Sequence, residues 1–324
     1  MISGHNRTVL KMTVQNVCMI DPKLKMLQMV DHYGGVTAAA EAMRYTPSAV
    51  SYQLRQLAEQ LGVKLIEPAG RGIQLTAAAR TLLRHTAVMQ AQWEQARSEL
   101  AATAAEASGT FTVCGFSTAA TYLLPLAAAA LRDRNPRLGV RLMEAEPIRC
   151  FELLLAEEAD LGVVVVTPDS PPLNDDRFDQ QPLLDDPLDL IVPVGHPLTA
   201  RKRVSLADAA QEPWILGTPG STYHQLVVTS CMAAGFTPDM AHQADEWDTG
   251  KAMVAQGFGV ILVPRLARIS TEWPVTRIRL SGEPAPARRI IAATRKGAAH
   301  HPVVAQALEL LRASATELLP AAHE

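Results

Sequence analysis

Hydrophobic positions recur along the chain at two different periods, and the change of period divides it. From residue 20 to about 106 the steps are three and four, the spacing of one helix face. Leu24, Leu27 and Val30 mark the inner face of a first helix that stops at Gly34-Gly35. Thr37 is expected to cap a second, alanine-rich helix, and Arg44-Tyr45 forms a tight connection to a third, "TPSAVSYQLRQLAEQLG" (46–62). There Val50, Leu54, Leu57 and Leu61 make the apolar stripe. Thr46 offers an N-cap oxygen, Pro47 sits where its missing N–H costs nothing, and Gly62 ends the helix in a left-handed conformation. Two short apolar strands, around Leu65-Ile66 and Ile73–Leu75, flank Gly70-Arg71-Gly72 and predict a hairpin. Thr76 then caps a run without Gly or Pro up to Gly109. In that run Leu82, Met89, Trp93, Ala96 and Leu100 form a seam for a partner helix, which predicts a dimer.

Beyond residue 109 apolar runs of strand length alternate with helical segments. "FTVCGF", "VRLMEA" and "LGVVVV" read as strands, separated by helices over "TYLLPLAAAALRDRNP" and "IRCFELLLAEEA". This βαβαβ order predicts a mostly parallel, covered sheet. A second unit follows with strands at "LDLIVPV", "WIL", "HQADEW" and "VILVP" and helices at "TYHQLVVTSCMAAG" and "GKAMVAQGFG". "RIRL" and "RRIIAATRKG" read as returning strands, and Val303–Leu319 as a closing helix. The chain is thus expected to leave one α/β lobe near residue 167 and return near 277, with a ligand cleft where the two crossings meet.

Charge sharpens this division. The total is −3, but residues 1–85 carry ten Lys and Arg against five Asp and Glu, so the head is +5 and the remainder −8. A basic head on an acidic body points the head toward a polyanion. A second short helix following a tight turn has the form of a helix-turn-helix, whose second member enters the major groove. Ser48, Ser51, Tyr52, Gln53 and Arg55 lie off the apolar stripe at the start of that helix, and Arg71 tips the hairpin as a wing against phosphates or in the minor groove. A two-fold dimer of such heads predicts an inverted-repeat operator.

The run "AAAEAMRYTPSAVSYQLRQLAEQLGVKLIEPAGRGIQLTAAA" resembles the DNA-binding domain of the LysR-type transcriptional regulators. "EEADLGVVVV", "VGHPL" and "MVAQGFGVILVP" resemble the effector domain of that family, itself similar to periplasmic binding proteins. The resemblance spans nearly all of residues 20–310. It implies an N-terminal winged helix-turn-helix over 20–76, a linker and dimerisation helix over 77–108, and a two-lobed α/β effector-binding domain over 109–324. Lobe I covers about 109–167 and 278–324, lobe II about 168–277. The resemblance also implies base and backbone contacts from Thr46, Pro47, Ser48, Ser51, Tyr52, Gln53 and Arg55. One departure stands out: where the family usually has Phe-x-Arg after the first wing strand, this chain has Ile66-Glu67-Pro68. Residues 1–19 precede the family's usual start, so they read as an extension, with Met19 as the natural first residue.

In the body, Ser117-Thr118 follow a strand and open a helix, and Gly217–Thr222 do the same in the second lobe. Such hydroxyl-bearing helix starts suit a carboxylate or another small anion, or else merely cap their helices. Ser117, Thr118, Thr218 and Ser221 are the candidate effector contacts, and the family's topology adds Thr167 and Thr249. The expected partners are double-stranded DNA, a small anionic effector and further copies of the chain, as a homodimer or homotetramer, with RNA polymerase an open addition.

The rival class is a solute-binding protein or an enzyme built on the same α/β body. No GxSxG, HExxH or phosphate loop is present, so no catalytic residues are assigned. The four cysteines, Cys18, Cys114, Cys150 and Cys231, lack paired spacing and read as structural thiols rather than metal ligands, so neither metal nor cofactor is expected. No apolar run reaches the roughly 20 residues of a membrane span, and no signal core opens the chain, which predicts a cytoplasmic protein.

Overall fold

The computed structural model describes residues 20–319 other than 71, 105, 270, 271, 283 and 284. They form two compact units. The first holds the residues up to Gly109 together with 174–179 and 295–302. It begins with helices α1 (Pro22–His32), α2 (Val36–Ala42) and α3 (Pro47–Leu61). Thr46 caps α3 as the sequence predicts: its hydroxyl oxygen accepts from the Ala49 N–H at 3.2 Å, and Gly62 closes the helix at φ 66°. Thr37 is no cap. Gly35 holds that position, and the Ala39 N–H donates to its carbonyl at 3.2 Å, so Thr37 lies inside α2. Arg44 makes the turn between α2 and α3 at φ 58°, in the left-handed region.

Leu27, Val30, Ala39, Ala40, Val50, Leu54 and Leu57 are buried together. Leu61 is 48% exposed. It lies in the last turn of α3, where the cover given to the first three positions of the stripe has ended.

The wing pairs β1 (Ile66–Ala69) with β2 (Gly72–Leu75), Ile66 opposite Leu75 and Pro68 opposite Ile73. A two-stranded hairpin leaves each strand an open edge, where Pro68 is tolerated. The Gln74 side-chain amide donates to Glu67 at 2.8 Å and braces the strands. Arg71 lies outside the described residues.

The long helix α4 (Ala77–Ala102) begins at Thr76, whose oxygen accepts from the Ala79 N–H at 3.1 Å. Its buried face is Ala79, Thr86, Ala87, Glu94 and Ser98, not the predicted seam. On the seam, Leu82, Trp93 and Ala96 are half-buried, while Met89 and Leu100 are 46% and 55% exposed. The small and polar face packs within its own unit. Gln28 and Gln90 exchange side-chain amide hydrogen bonds at 2.7 and 3.0 Å, joining α1 to α4. Farther along, the Glu94 carboxylate accepts from Arg295 at 2.7 Å and from Arg97 at 3.2 Å. Gly297, at φ 86°, lies so close to α4 that a Cβ would collide with the Ala91 carbonyl oxygen.

The second unit holds most of the remaining chain. Strands β3 (Gly109–Gly115), β4 (Leu138–Glu144), β5 (Leu161–Val165), β6 (Phe178–Pro193), β9 (Ile261–Pro264), β10 (Val275–Ile278) and β11 (Ala287–Arg295) form one sheet. Its order is β10-β6-β11-β5-β3-β4, with β9 also pairing to β6. β7 (Pro213–Leu216) and β8 (Asp239–Gln243) form a separate parallel pair. Helices α5 (Ser117–Tyr122), α6 (Leu124–Arg134), α7 (Pro147–Leu155), α8 (Thr222–Ala233), α9 (Trp247–Ala255) and α10 (Pro302–Leu318) cover the strands.

The large sheet is mixed rather than mostly parallel. β3 and β5 run parallel, but β11 enters antiparallel to β5, and β10 and β9 are antiparallel to β6. The returning strands explain this, since they re-enter from the other lobe. β6 is sixteen residues long, reaching well upstream of the predicted "LDLIVPV". Its first ten residues, with two prolines and three acids, lack an apolar pattern but are held by partners, among them those of Asp186, which takes the Leu266 N–H and Arg288. The helix predicted over "TYLLPLAAAALRDRNP" breaks at Leu123 into α5 and α6, because Pro125 cannot continue the ladder. The strand read at "HQADEW" lies three residues earlier, and Trp247 instead opens α9.

Candidate functional site

The N-terminal end of α3 is an exposed, uncharged-to-basic surface on a rigid base. Val50, Leu54 and Leu57 anchor the helix, so the intervening positions are fixed outward. Ser48, Tyr52 and Arg55 are exposed; Ser51 and Gln53 are half-buried. Thr46 and Ser48 share a hydroxyl–hydroxyl hydrogen bond at 3.0 Å, and the Gln56 amide donates to the Tyr52 hydroxyl at 2.7 Å. A preset hydroxyl and amide array of this kind, at the positive end of a helix dipole, has the chemistry to meet phosphates and base edges.

In the second unit the candidate effector residues fall into two groups. Ser117 and Thr118 open α5 directly after β3; Ser117 is exposed and Thr118 buried. Thr218 and Ser221 precede α8, where Ser221 caps the helix by accepting from the His224 N–H at 3.2 Å. Thr218 donates both its N–H and its hydroxyl to Asp245, each at 2.7 Å. The carboxylate beside α8 is thus the chain's own. These bonds, the side-chain one first, hold the Asp245 carboxyl below the ordinary carboxylate range. Thr167 is buried, its hydroxyl paired with Ser170 at 3.1 Å, and Thr249 is exposed on α9.

Aromatic side chains join the two groups. Tyr122 of α5, Tyr223 and Trp247 pack against the same buried cluster, and the rings of the last two meet edge to face at 4.6 Å. The Tyr223 hydroxyl donates to the Leu262 carbonyl at 2.5 Å, and burial pushes its pKa up. Nearby, charged residues cross from strand to strand. Asp189 of β6, fully buried, accepts Arg265 through both carboxylate oxygens at 3.0 and 2.7 Å and Arg277 at 3.1 Å. Asp186 pairs with Arg288 of β11, whose guanidinium lies 4.9 Å from the Phe116 ring centre. Burial raises the Asp186 carboxyl and lowers the Arg288 guanidinium, so each opposes the attraction between them.

Tyr223, Asp245, Asp186 and Arg288 are not among the candidates read from the sequence. A signal for two of them was present: charges inside the apolar strand runs "LLDDPLDLIV" and "RRIIAA" require buried partners. Cys114, Cys150 and Cys231 are buried and unpaired. Contact with Cys114, then burial, pushes the Cys150 thiol up, and burial takes Cys231 to about 12, so both are held as thiols. Cys18 lies outside the described residues.

A winged helix-turn-helix followed by a long helix and a two-lobed α/β unit defines a DNA-binding regulator with a ligand-binding type of body. The family models agree in detail. "Bacterial regulatory helix-turn-helix protein, lysR family" matches residues 22–80, and "LysR substrate binding domain" matches residues 104–316. The chain belongs to the LysR family of transcriptional regulators, with a DNA-binding domain and an effector-binding domain. Among similar proteins, the HTH-type transcriptional regulator AlsR of Bacillus subtilis is 30% identical over 73% of this chain and 76% of its own. A hydrogen peroxide-inducible genes activator of Dickeya chrysanthemi is 29% identical over 71% and 73%. A cysteine mutant of OxyR from Corynebacterium glutamicum has the same fold, with a TM-score of 0.58 at 21% identity over 94% and 95% of the two chains. Among the described residues, no helix is long and apolar enough to cross a membrane.

Proposed function

We propose that the protein is a cytoplasmic, non-enzymatic regulator that binds inverted-repeat promoter DNA as a dimer or dimer of dimers and answers to a small anionic effector held between its two lobes. The observation that carries the DNA reading is the capped start of α3, where Ser48, Tyr52 and Arg55 are exposed above a buried stripe. Thr46 and Pro47 fix that start, and Ser51 and Gln53 flank it. Arg71 at the wing tip supplies a phosphate contact. Met89 and Leu100, exposed on α4, with Leu82, Trp93 and Ala96 between and beside them, form the face for a second copy.

Ser117 and Thr118 from one lobe and Ser221 from the other border the effector cleft, with Tyr122, Tyr223 and Trp247 as its apolar walls. Thr167 and Thr249 contribute at its margins. An effector regulates only through different affinities for two assembly states, which then differ in the spacing or bend of their DNA sites. RNA polymerase contact belongs to this reading for those promoters that the protein activates. The test is a footprint of the purified protein on the DNA upstream of its own gene and its neighbours. Protection of an inverted repeat, lost on Ser51→Ala with Gln53→Ala, supports the reading. Folded dimer without sequence-selective protection refutes it.

A further inference from the structure

We infer that Arg288 is the anion anchor of the inter-lobe cleft, offering the free end of its guanidinium to a ligand carboxylate while Asp186 holds the other edge. This rests on the proposed effector cleft and assigns its ligand class to a residue. A guanidinium carries five N–H donors on a planar fork with two usable edges. On Arg288 the Nε donates to Asp186 Oδ2 at 2.9 Å. Nη2 is ion-paired with the same oxygen at 2.8 Å, but at an angle that makes no hydrogen bond, and it is buried without a hydrogen-bond partner. The second oxygen of Asp186 is taken by the Leu266 N–H at 2.9 Å. No hydrogen bond engages Nη1, so the Nη1–Nη2 edge stands unused on a side chain only 9% exposed.

The neighbouring pairs show what a purely structural arginine looks like here. Arg265 meets both oxygens of Asp189, and Arg277 adds the carbonyls of Pro264 and Ala267 to the same acid. Each of these guanidinium groups uses two nitrogens on acceptors within the chain and is 25% or 20% exposed, so solvent can reach what is left over; Arg288 uses one nitrogen and keeps Nη2 buried. A buried donor without an acceptor is unfavourable, and an incoming carboxylate removes that penalty in a bidentate geometry.

The surroundings of Arg288 come from both lobes. The Phe116 ring lies 4.9 Å from its Cζ, and its charge acts on Tyr223 of α8. Thr118, buried beside Phe116 in sequence, has no hydrogen bond on its hydroxyl that would compete for a ligand. The start of α8 is a poorer anion site, because Asp245 already holds the Thr218 hydroxyl and N–H. The ligand class is therefore a small carboxylate with an apolar body, its charged end on Arg288 and its body between Phe116 and Tyr223.

The test uses the full chain and two matched pairs of probes: benzoate with benzamide, and phenylacetate with phenylacetamide. Binding is read from the shift in thermal unfolding. The wild type is expected to be stabilised by the carboxylates over the amides. Arg288→Gln alone strands Asp186, so the informative variant is Asp186→Asn with Arg288→Gln, which removes both charges together. In it the carboxylate preference should fall at least about tenfold, to near parity, with Arg288→Lys intermediate. A preference retained in the double variant overturns the role of Arg288 but leaves the cleft intact, provided that Thr118→Trp, which fills the cleft, abolishes binding. A wild type that binds neither carboxylate overturns the anchor; a neutral compound that still alters the DNA footprint would preserve the effector reading without it.

Discussion

Glu94 and Arg295 meet at 2.7 Å, although 201 positions separate them in the chain. Both side chains are largely buried, and Arg97 approaches the same carboxylate oxygen at 3.2 Å. Glu94→Ala removes the buried acceptor shared by two guanidinium groups and is expected to cost about 3 kcal/mol. Arg97→Ala leaves Glu94 with its stronger partner and should cost about 1 kcal/mol or less. Urea unfolding midpoints check this, and equal losses in the two variants would refute the ranking.

Gly297 combines a left-handed backbone with no room for a side chain, since Ala91 closes the space. Gly297→Ala should cost about 2–4 kcal/mol. Gly220 has nearly the same φ, 88°, but open space around its Cα. Gly220→Ala should cost only about 1 kcal/mol, the backbone part alone. Thermal unfolding of the two variants separates the collision from the conformation.

Asp245 sets a pH dependence whose sign follows from its lowered pKa. A carboxyl that ionises lower in the folded than in the unfolded chain adds stability above the unfolded value of about 3.9, and loses it as pH falls through the folded value. Asp245→Asn should therefore remove part of the acid slope in urea midpoint against pH, and variant and wild type should converge once pH falls below the folded value. Parallel curves across that range would show that Thr218 does not stabilise the carboxylate.

Met89 and Leu100 are exposed large apolar side chains on one long helix. Changing both to Glu should leave the far-ultraviolet spectrum unchanged and shift the protein toward monomer in sedimentation. Wild-type association in the variant would move the dimer contact off this face.

On DNA, Tyr52→Ala and Gln53→Ala should relax sequence preference, since both lie at the start of α3. Arg71→Ala should weaken binding to all sequences alike and lower the salt slope by about 1. Binding titrations at several salt concentrations, on operator and scrambled duplexes, distinguish the two effects. A uniform loss for Gln53→Ala would assign it to the backbone instead.

Local signals account for most of the head. The Thr46 cap, Pro47, the Gly62 stop and the Val50-Leu54-Leu57 stripe all lie within one helix of fifteen residues, and their physics needs no distant partner. The same local reading failed wherever a long-range partner decides. The start of β6 carries prolines and acids that look like a loop, and it becomes strand because Asp186 finds Arg288, 102 positions away. The buried face of α4 is small and polar because Arg295 and Gly297 meet it, which no local pattern announced, while the apolar stripe read as a seam for a partner helix is left partly open. In the effector domain, hydroxyls at helix starts were legible, but the acid that occupies Thr218 was not, being 27 residues downstream.

β11 carries Arg288 as its second residue and Arg295 as its last. Successive side chains of a strand point to opposite faces, so these two positions, an odd number of residues apart, leave the strand on opposite sides. Asp186 grips the strand near one end and Glu94 at the other. Each arginine therefore meets its acid from regular strand, and neither ion pair depends on the conformation of a loop on the arginine's side.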